Sequence, residues 1–208
     1  MNTVYYKSIE FFIIFVAFPI SFAINYSGGI KMGIGIVGFL YITFVLLKIE
    51  NKKFKIAANL NWKLFFKQTF FKLLAIVIIT TIFVWFTNKE SLFNVMLSKP
   101  KLWLFILFFY SVFSVYPQEL IYRTFYFQRY KGLFKSQNLF IFINAIIFSL
   151  GHLFFKNTLV IVITFLGGLL FAFTYNKTKS TLLVSIEHAI YGCWLFTVGM
   201  GDVLGFPA

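Results

Sequence analysis

The chain has 208 residues, of which 60% are hydrophobic and only 12% are charged. A soluble domain of this size could not bury so much apolar side chain, and long apolar runs differ from the short alternating segments of a membrane β-barrel. We therefore expect an all-α, polytopic helix bundle in the cell (inner) membrane. The net charge of +13 fits basic loops that face anionic lipid. No soluble basic domain is visible, so the lipid bilayer is expected as a partner and nucleic acid is not.

Seven apolar segments have about the length that is needed to cross a bilayer. The first could pass for a signal peptide, but it lacks a convincing small-residue cleavage site and is interpreted as a retained span. Pro19 in this segment predicts a kink. The predicted spans are residues 11–26, 32–47, 70–86, 102–116, 139–155, 159–175 and 181–198.

The segment between the second and third spans, residues 48–72, is rich in lysine and is interleaved with Trp62 and several phenylalanines. This composition predicts a cytoplasmic loop with an amphipathic stretch at the membrane surface, and it places the N-terminus in the cytoplasm too. Polar residues inside predicted spans cluster late in the chain. Residues 1–98 are therefore predicted to form a packing half, and residues 99–208 the half that carries the function.

The stretch 116–130, YPQELIYRTFYFQRY, places Glu119 and Arg123 inside an apolar region. On a helix these two side chains are one turn apart and share a face with Tyr122. A carboxylate and a guanidinium are costly in hydrocarbon unless they form a pair or serve a function. The pattern thus predicts either a structural ion pair between helices or part of a site.

The only two histidines also lie in predicted spans. In NAIIFSLGHLFF, the residues Asn144, Phe148 and His152 recur every four positions, so they line one helical face. A lone membrane histidine is more often a packing hydrogen bonder. A glutamate followed by two such histidines, however, is a set of groups that can activate water, with or without a metal.

The second histidine lies in SIEHAIYGCW, where His188 shares a helical face with Gly192 and has Tyr191 beside it. Glu187 points about 100° away around the helix, which is the angle between successive residues at 3.6 per turn. It is expected to pair with a lysine or arginine, or to lie at the lipid–water boundary.

These three motifs resemble the pattern of the CPBP intramembrane protease family, and the resemblance covers about residues 99–208. The family includes CAAX prenyl endoproteases and bacterial proteins of the abortive-infection and bacteriocin-immunity type. Its motifs are Glu-Glu-x-x-x-Arg, Phe-x-x-x-His and His-x-x-x-Asn or Asp. The matching positions here are Gln118-Glu119-x-x-x-Arg123, Phe148-x-x-x-His152 and His188-x-x-x-Gly192.

The resemblance implies an endopeptidase that cleaves a hydrophobic or lipidated peptide or protein near the membrane surface. It implies that Glu119 and His152 activate water, that His188 stabilises the oxyanion, and that Arg123 pairs with Glu119. A divalent metal, zinc in particular, could be held by the carboxylate and the two histidines. The residues expected to support this site are Gln118, Tyr122, Asn144, Phe148 and Tyr191.

Two positions depart from the family pattern. Gln118 stands where the family has its first glutamate, and an amide cannot accept a proton at neutral pH. Gly192 stands where the family has Asn or Asp, which are thought to help hold the oxyanion. Either Glu119 is the base and Tyr191 or a backbone N–H supplies the missing donor, or the chain is a non-catalytic immunity or scaffold protein that keeps the protease fold.

Three other chemistries are weaker on the residues alone. Ser149 and Ser185 each precede a histidine by three positions, but serines in membrane helices usually bond the helix backbone. Cys193 could be a thiol nucleophile, although a buried apolar cysteine is usually inert. A proton relay in a small transporter would use the same carboxylates and histidines, but no inverted repeat supports it.

The number of crossings depends on Pro117. With seven spans, the basic residues near 129–135 and 177–179 all lie in the cytoplasm, as the charge rule favours. Glu119 would then lie at the inner end of its helix, about 21 Å in depth from His152 at 1.5 Å per residue. A turn at Pro117 would make residues 118–134 an additional crossing helix and would remove this gap. Of the two arrangements, the site geometry favours eight crossings.

Overall fold

The protein is all-α, as the composition predicts. A computed structural model describes residues 1, 3–51 and 60–204, so Lys52, Lys53 and Lys55 of the predicted basic loop lie outside the described residues. Helices account for 86% of the structure, and the described residues contain no strand. The chain is a multi-pass membrane protein.

Seven helices are long and apolar enough to cross a membrane. The described residues therefore contain seven candidate spans, and not the eight that the site geometry favoured. The helices are α1 (Val4–Phe22), α2 (Gly28–Ile49), α3 (Trp62–Thr87), α4 (Pro100–Arg129), α5 (Gln137–Phe155), α6 (Thr158–Thr178) and α7 (Thr181–Val198).

The turn expected at Pro117 is absent, because α4 is helical without interruption over its 30 residues, or about 45 Å. A proline inside a helix loses one backbone hydrogen bond, and its ring collides with a preceding carbonyl. Here the wider π-helical segment Tyr110–Val115 comes just before Pro117 and gives the ring space. Pro19 in α1 likewise follows a π-helical segment, Ile13–Ala17. Glu119 consequently lies well inside its helix, not at the end that the depth argument assumed.

The predicted loop 48–72 is wrong at both of its described ends. Lys48 belongs to α2, which ends at Ile49. Helix α3 begins at Trp62, where Asn61 caps it by accepting a hydrogen bond from the Leu64 N–H at 2.9 Å. Lys63, Lys67 and Lys72 are therefore helical residues rather than loop residues.

Large apolar side chains on α3 face outward, as expected of a surface that contacts lipid. Phe70, Phe71, Ile79 and Phe86 are each at least 60% exposed. A water-soluble protein would not leave so many large apolar groups uncovered on one helix.

Two compact units make up the chain, and each combines early and late segments. Unit 1 contains Met1–Lys55 and Leu120–Lys179, and unit 2 contains Ile56–Glu119 and Ser180–Ala208. The predicted division at residue 98 separates an early half of the sequence from a late half, whereas each unit contains parts of both. The predicted division of roles between the halves stays a prediction.

In unit 1, helices α5 and α6 lie against each other at a glycine. A Cβ atom at Gly168 would lie 3.0 Å from Ala145 Cα, so the close approach of the two helices requires a glycine there. Nearby, the Ser149 hydroxyl donates to the Ile161 carbonyl at 2.8 Å. This contact commits the hydroxyl to a backbone carbonyl of the neighbouring helix rather than of its own helix.

Unit 1 also contains a buried ion cluster around Arg129, which is 1% exposed. Its Nε donates to Glu10 Oε2 at 2.8 Å, and its Nη1 donates to Glu50 Oε1 at 2.8 Å. The Tyr130 and Tyr41 hydroxyls also donate to Glu10. Arg129 was expected to be a loop charge, but it is a structural residue that joins α1, α2 and α4.

In unit 2, contacts between the first part of α4 and α7 fix how these two helices align. The Trp103 indole N–H donates to Thr197 Oγ1 at 3.0 Å, and Ser111 Oγ lies 3.5 Å from Cys193 Sγ. Since residue numbers rise on one helix while they fall on the other, the two helices are antiparallel. Helix α3 joins α7 through a hydrogen bond of 2.9 Å from the Trp194 indole N–H to Thr80 Oγ1.

Removal of the Arg129 guanidinium should destabilise the protein. Arg129→Ala would leave Glu10, itself 5% exposed, without its cation. Breaking a buried pair in this way costs about 3–5 kcal/mol. Thermal unfolding in detergent would measure the loss, and Lys131→Ala, which removes an exposed cation two residues away, is the matched control. Equal melting temperatures for both variants would contradict the structural role of Arg129.

Seven crossings place Lys177 in the cytoplasm and Lys156 on the opposite side, because Lys177 lies in the last turn of α6 and Lys156 lies just before its first residue. In a Cys193→Ala background, we expect Lys177→Cys to react with a membrane-impermeant thiol reagent from the cytoplasmic side only. Lys156→Cys should react only from the other side. Labelling of Lys177→Cys from outside would overturn this orientation.

Candidate active site

Helix α7 carries His188 to a carboxylate on α4. The helix begins after Ser180, whose hydroxyl accepts a hydrogen bond from the Leu183 N–H at 3.2 Å. Its antiparallel alignment with α4 brings His188 Nδ1 to 2.7 Å from Glu119 Oε1. Glu119 is fully buried and His188 is 6% exposed. The sequence predicted both residues for the site, and within unit 2 the structure brings them together.

A buried carboxylate hydrogen-bonded to an imidazole can hold and transfer a proton. An ionised carboxylate can only accept a hydrogen bond. In that state the proton between the two groups is therefore bonded to His188 Nδ1. The hydrogen bond fixes the orientation of the ring, as in other carboxylate–histidine pairs that act on water or on a nucleophile. The arrangement in unit 2 is therefore suited to acid–base chemistry.

Tyr191 and Glu187 form a separate polar group on another face of α7. Glu187 is fully buried and accepts from Lys72 Nζ at 2.7 Å and from the Tyr191 hydroxyl at 2.9 Å. The expected pairing of Glu187 with a lysine is confirmed. The Tyr191 hydroxyl also lies 3.4 Å from the Thr69 carbonyl. These contacts direct Tyr191 toward Glu187, so they do not support its expected role as the missing oxyanion donor.

Gln118 is held by its own helix. Its Nε2 donates to Ser114 Oγ at 2.8 Å, one turn earlier. Its Oε1 is buried and has no hydrogen-bond partner among the described residues. A buried acceptor without a donor is costly, so this oxygen is suited to accept from a water or from a substrate N–H. It can orient such a group but cannot take its proton.

In unit 1, Arg123 lies at the centre of the other predicted residues. The guanidinium is fully buried, and its Nη1 donates to Asn144 Oδ1 at 2.6 Å. Asn144 Nδ2 in turn donates to the Tyr122 carbonyl at 2.6 Å. The guanidinium also lies over the Phe148 ring at 4.7 Å, a cation–π arrangement. The pairing of Arg123 with Glu119 stays a prediction.

His152 lies just beyond the regular α-helix of α5, which ends at Leu150, so the predicted helical face of Asn144 and Phe148 stops short of it. Its Nδ1 lies 2.8 Å from the Phe148 carbonyl. Because a carbonyl can only accept, Nδ1 carries a proton, and in the neutral ring Nε2 is then the basic nitrogen. The Phe148 ring packs against the imidazole with centroids 4.9 Å apart. Unit 1 thus holds the histidine in one orientation.

The described side chains do not form a cluster that would suit a bound metal. No group of three or more His, Cys, Asp or Glu side chains is placed to hold an ion in the part of the chain that the structure describes. A three-ligand zinc site needs such a group. The metal implied by the resemblance stays a prediction.

Comparison with known protein families gives a match for the segment that contains this site. Residues 100–194 match the family model described as type II CAAX prenyl endopeptidase Rce1-like, and this segment contains all three motifs. It is just under half of the chain. No curated protein and no solved structure matches the chain significantly. Residues 100–194 are therefore similar to this family, and the match supports membership of the CPBP intramembrane protease family. The match supports a CAAX-type intramembrane protease fold for this segment, which contains Glu119 and His188.

The polar contacts of the structure include residues that the sequence did not single out. Lys72 and Arg129 were counted as loop charges, but each pairs with a buried acid. A usable signal was the scarcity of acids, since only six occur in the chain and a buried one needs a partner. Tyr110 was also missed: its ring lies edge-on to His188 with centroids 6.0 Å apart. Nothing in the sequence distinguishes it from the other tyrosines.

Arg123→Ala should destabilise unit 1. It leaves Asn144 Oδ1 buried without its donor, which costs about 1–3 kcal/mol, and it removes the cation over Phe148. Arg123→Lys should recover only part of the loss, because an ammonium cannot reproduce the flat two-pronged guanidinium. Thermal unfolding in detergent measures both, with exposed Lys135→Ala as control. Wild-type stability in Arg123→Ala would show that the guanidinium does not support the fold.

Proposed function

We propose that the chain is an intramembrane endopeptidase in which Glu119 and His188 act as one acid–base pair. The observation that carries this proposal is their hydrogen bond of 2.7 Å in a buried position inside the family-matched segment. The substrate class is a hydrophobic or lipidated peptide, and a prenylated peptide fits the family description. The protein would act in the cell membrane, where such substrates partition.

In the proposed reaction, the Glu119–His188 pair accepts a proton from water while the water oxygen attacks the peptide carbonyl carbon. The resulting oxyanion is stabilised by the protonated imidazole and by further donors. The C–N bond then breaks, and the pair returns the proton to the leaving amine nitrogen. The products are a carboxylic acid and an amine. Because the two groups share one short hydrogen bond, the proton is assigned to the pair and not to either member.

Gln118 has a supporting role in this proposal. Its buried Oε1 could accept a hydrogen bond from the attacking water and hold it against the pair. The first glutamate of the family motif would then be dispensable as a base, because Glu119 supplies the carboxylate. The involvement of His152 and Arg123 in the same reaction stays a prediction from the motif pattern.

Turnover of a farnesylated peptide ending in a CAAX sequence tests the proposal. Glu119→Gln and His188→Gln should each reduce kcat by at least about 100-fold, because a positioned acid–base group contributes about 10²–10⁴-fold. Glu119→Gln combined with His188→Gln should lose little more than either alone, since groups that act as a unit are not additive. Glu90→Gln, which changes an exposed acid, is the control. Full activity of Glu119→Gln would show that the assigned base is wrong.

Three further arms of the assay resolve the alternatives. His152→Ala tests whether the second motif takes part, and a chelator tests for a metal. Gln118→Glu should raise the rate if the amide is a weakened form of a base position. The alternative is a non-catalytic scaffold protein, which Gln118 favours because an amide is not a base. This alternative replaces the enzyme if the wild-type protein and Gln118→Glu cleave neither this peptide nor a library of hydrophobic peptides.

A further inference from the structure

Tyr110 lies on α4 beside the acid–base pair. Its ring packs edge-on against Phe196 with centroids 4.8 Å apart, and it belongs to the apolar cluster around Val95, Ile106 and Phe196. The same ring is edge-on to His188 at 6.0 Å. The cluster therefore fixes the ring, and with it the hydroxyl, near the imidazole.

Gly192 provides the space that this ring occupies. A Cβ atom at position 192 would overlap the Tyr110 hydroxyl oxygen and the adjacent ring carbons. His188 and Gly192 are one helical turn apart on the same face of α7. The Tyr110 hydroxyl therefore lies against the face of α7 that carries His188, where the related family pattern has an Asn or Asp side chain.

The hydroxyl has no hydrogen bond to any other described residue. Two polar contacts between the same helices do not involve it, since Trp103 donates to Thr197 and Ser111 contacts Cys193. The packing of its ring fixes the Tyr110 hydroxyl in place, so the hydroxyl is available to donate to a group that enters beside His188.

We propose that the Tyr110 hydroxyl donates a hydrogen bond to the substrate carbonyl oxygen as it becomes the oxyanion. This inference rests on the proposed peptidase function. Gly192 and Tyr110 act together: the glycine removes a side chain from α7, and the tyrosine supplies a donor to the same place from α4. In this proposal the hydrogen-bond donor that Gly192 lacks on α7 is supplied by Tyr110 on α4.

The test compares Tyr110→Phe with wild type on the farnesylated peptide. Phenylalanine keeps the ring in its cluster and removes only the hydroxyl. We expect kcat to fall about 100-fold, the effect of removing one oxyanion donor, while KM and the melting temperature change little. Tyr116→Phe removes a hydroxyl from an exposed tyrosine of the same helix and should leave kcat unchanged.

A binding measurement supplies a readout independent of turnover. A peptidyl aldehyde, whose hydrate resembles the tetrahedral intermediate, should inhibit Tyr110→Phe more weakly than wild type. An uncleavable peptide with a reduced amide bond lacks the carbonyl and should bind both equally. If the tyrosine were purely structural, Tyr110→Phe would change the affinities for the aldehyde and for the reduced peptide by the same factor.

The outcomes separate this inference from the function on which it rests. If wild type cleaves the peptide and Tyr110→Phe matches it in kcat and in aldehyde affinity, the donor role is overturned and the peptidase stands. If wild type cleaves no peptide and Glu119→Gln changes nothing, the peptidase and the donor role are both overturned.

Discussion

A carboxylate inside a membrane-spanning helix must be paired, because an isolated charge in hydrocarbon is too costly to keep. This constraint governs where the chain places its few acids. Glu10 is held by Arg129, and Glu187 is held by Lys72. In each case the cation lies on a different helix from the acid. The pairs therefore bind helices together within their unit and fix how the helices align.

The third buried acid differs from the other two in its described partner. Arginine and lysine stay protonated at neutral pH, whereas the unperturbed histidine side chain changes charge near pH 6.5. A pair with Arg or Lys stabilises a fixed arrangement, but a pair with His can gain and lose a proton without losing its hydrogen bond. Glu119 bonds His188, and this pair lies in the segment that matches the family. The chemistry of the partner separates a candidate acid–base pair from two structural ones.

Sequence alone predicted the helical membrane class and placed Asn144 and Phe148 on one helix, because hydrophobic runs and a four-residue period need only local information. It did not predict that α4 continues through Pro117, since the relief comes from a π-helical segment that leaves no clear sequence signal. Lys72 and Arg129 were misplaced for a related reason. A basic residue near the end of an apolar run resembles a loop charge, and only tertiary packing shows which buried acid it meets.

Gly192 shows how a departure from a motif can be misread when only one helix is considered. On α7 alone, glycine in place of Asn or Asp is the loss of a polar group. In three dimensions the vacated space is filled by Tyr110, which comes from α4 and has a hydroxyl of its own. A motif position describes where a chemical group is needed, and the packing decides which helix supplies it. The proposed exchange of the donor between helices requires two coupled changes, because a Cβ at position 192 and the Tyr110 ring cannot occupy the same space.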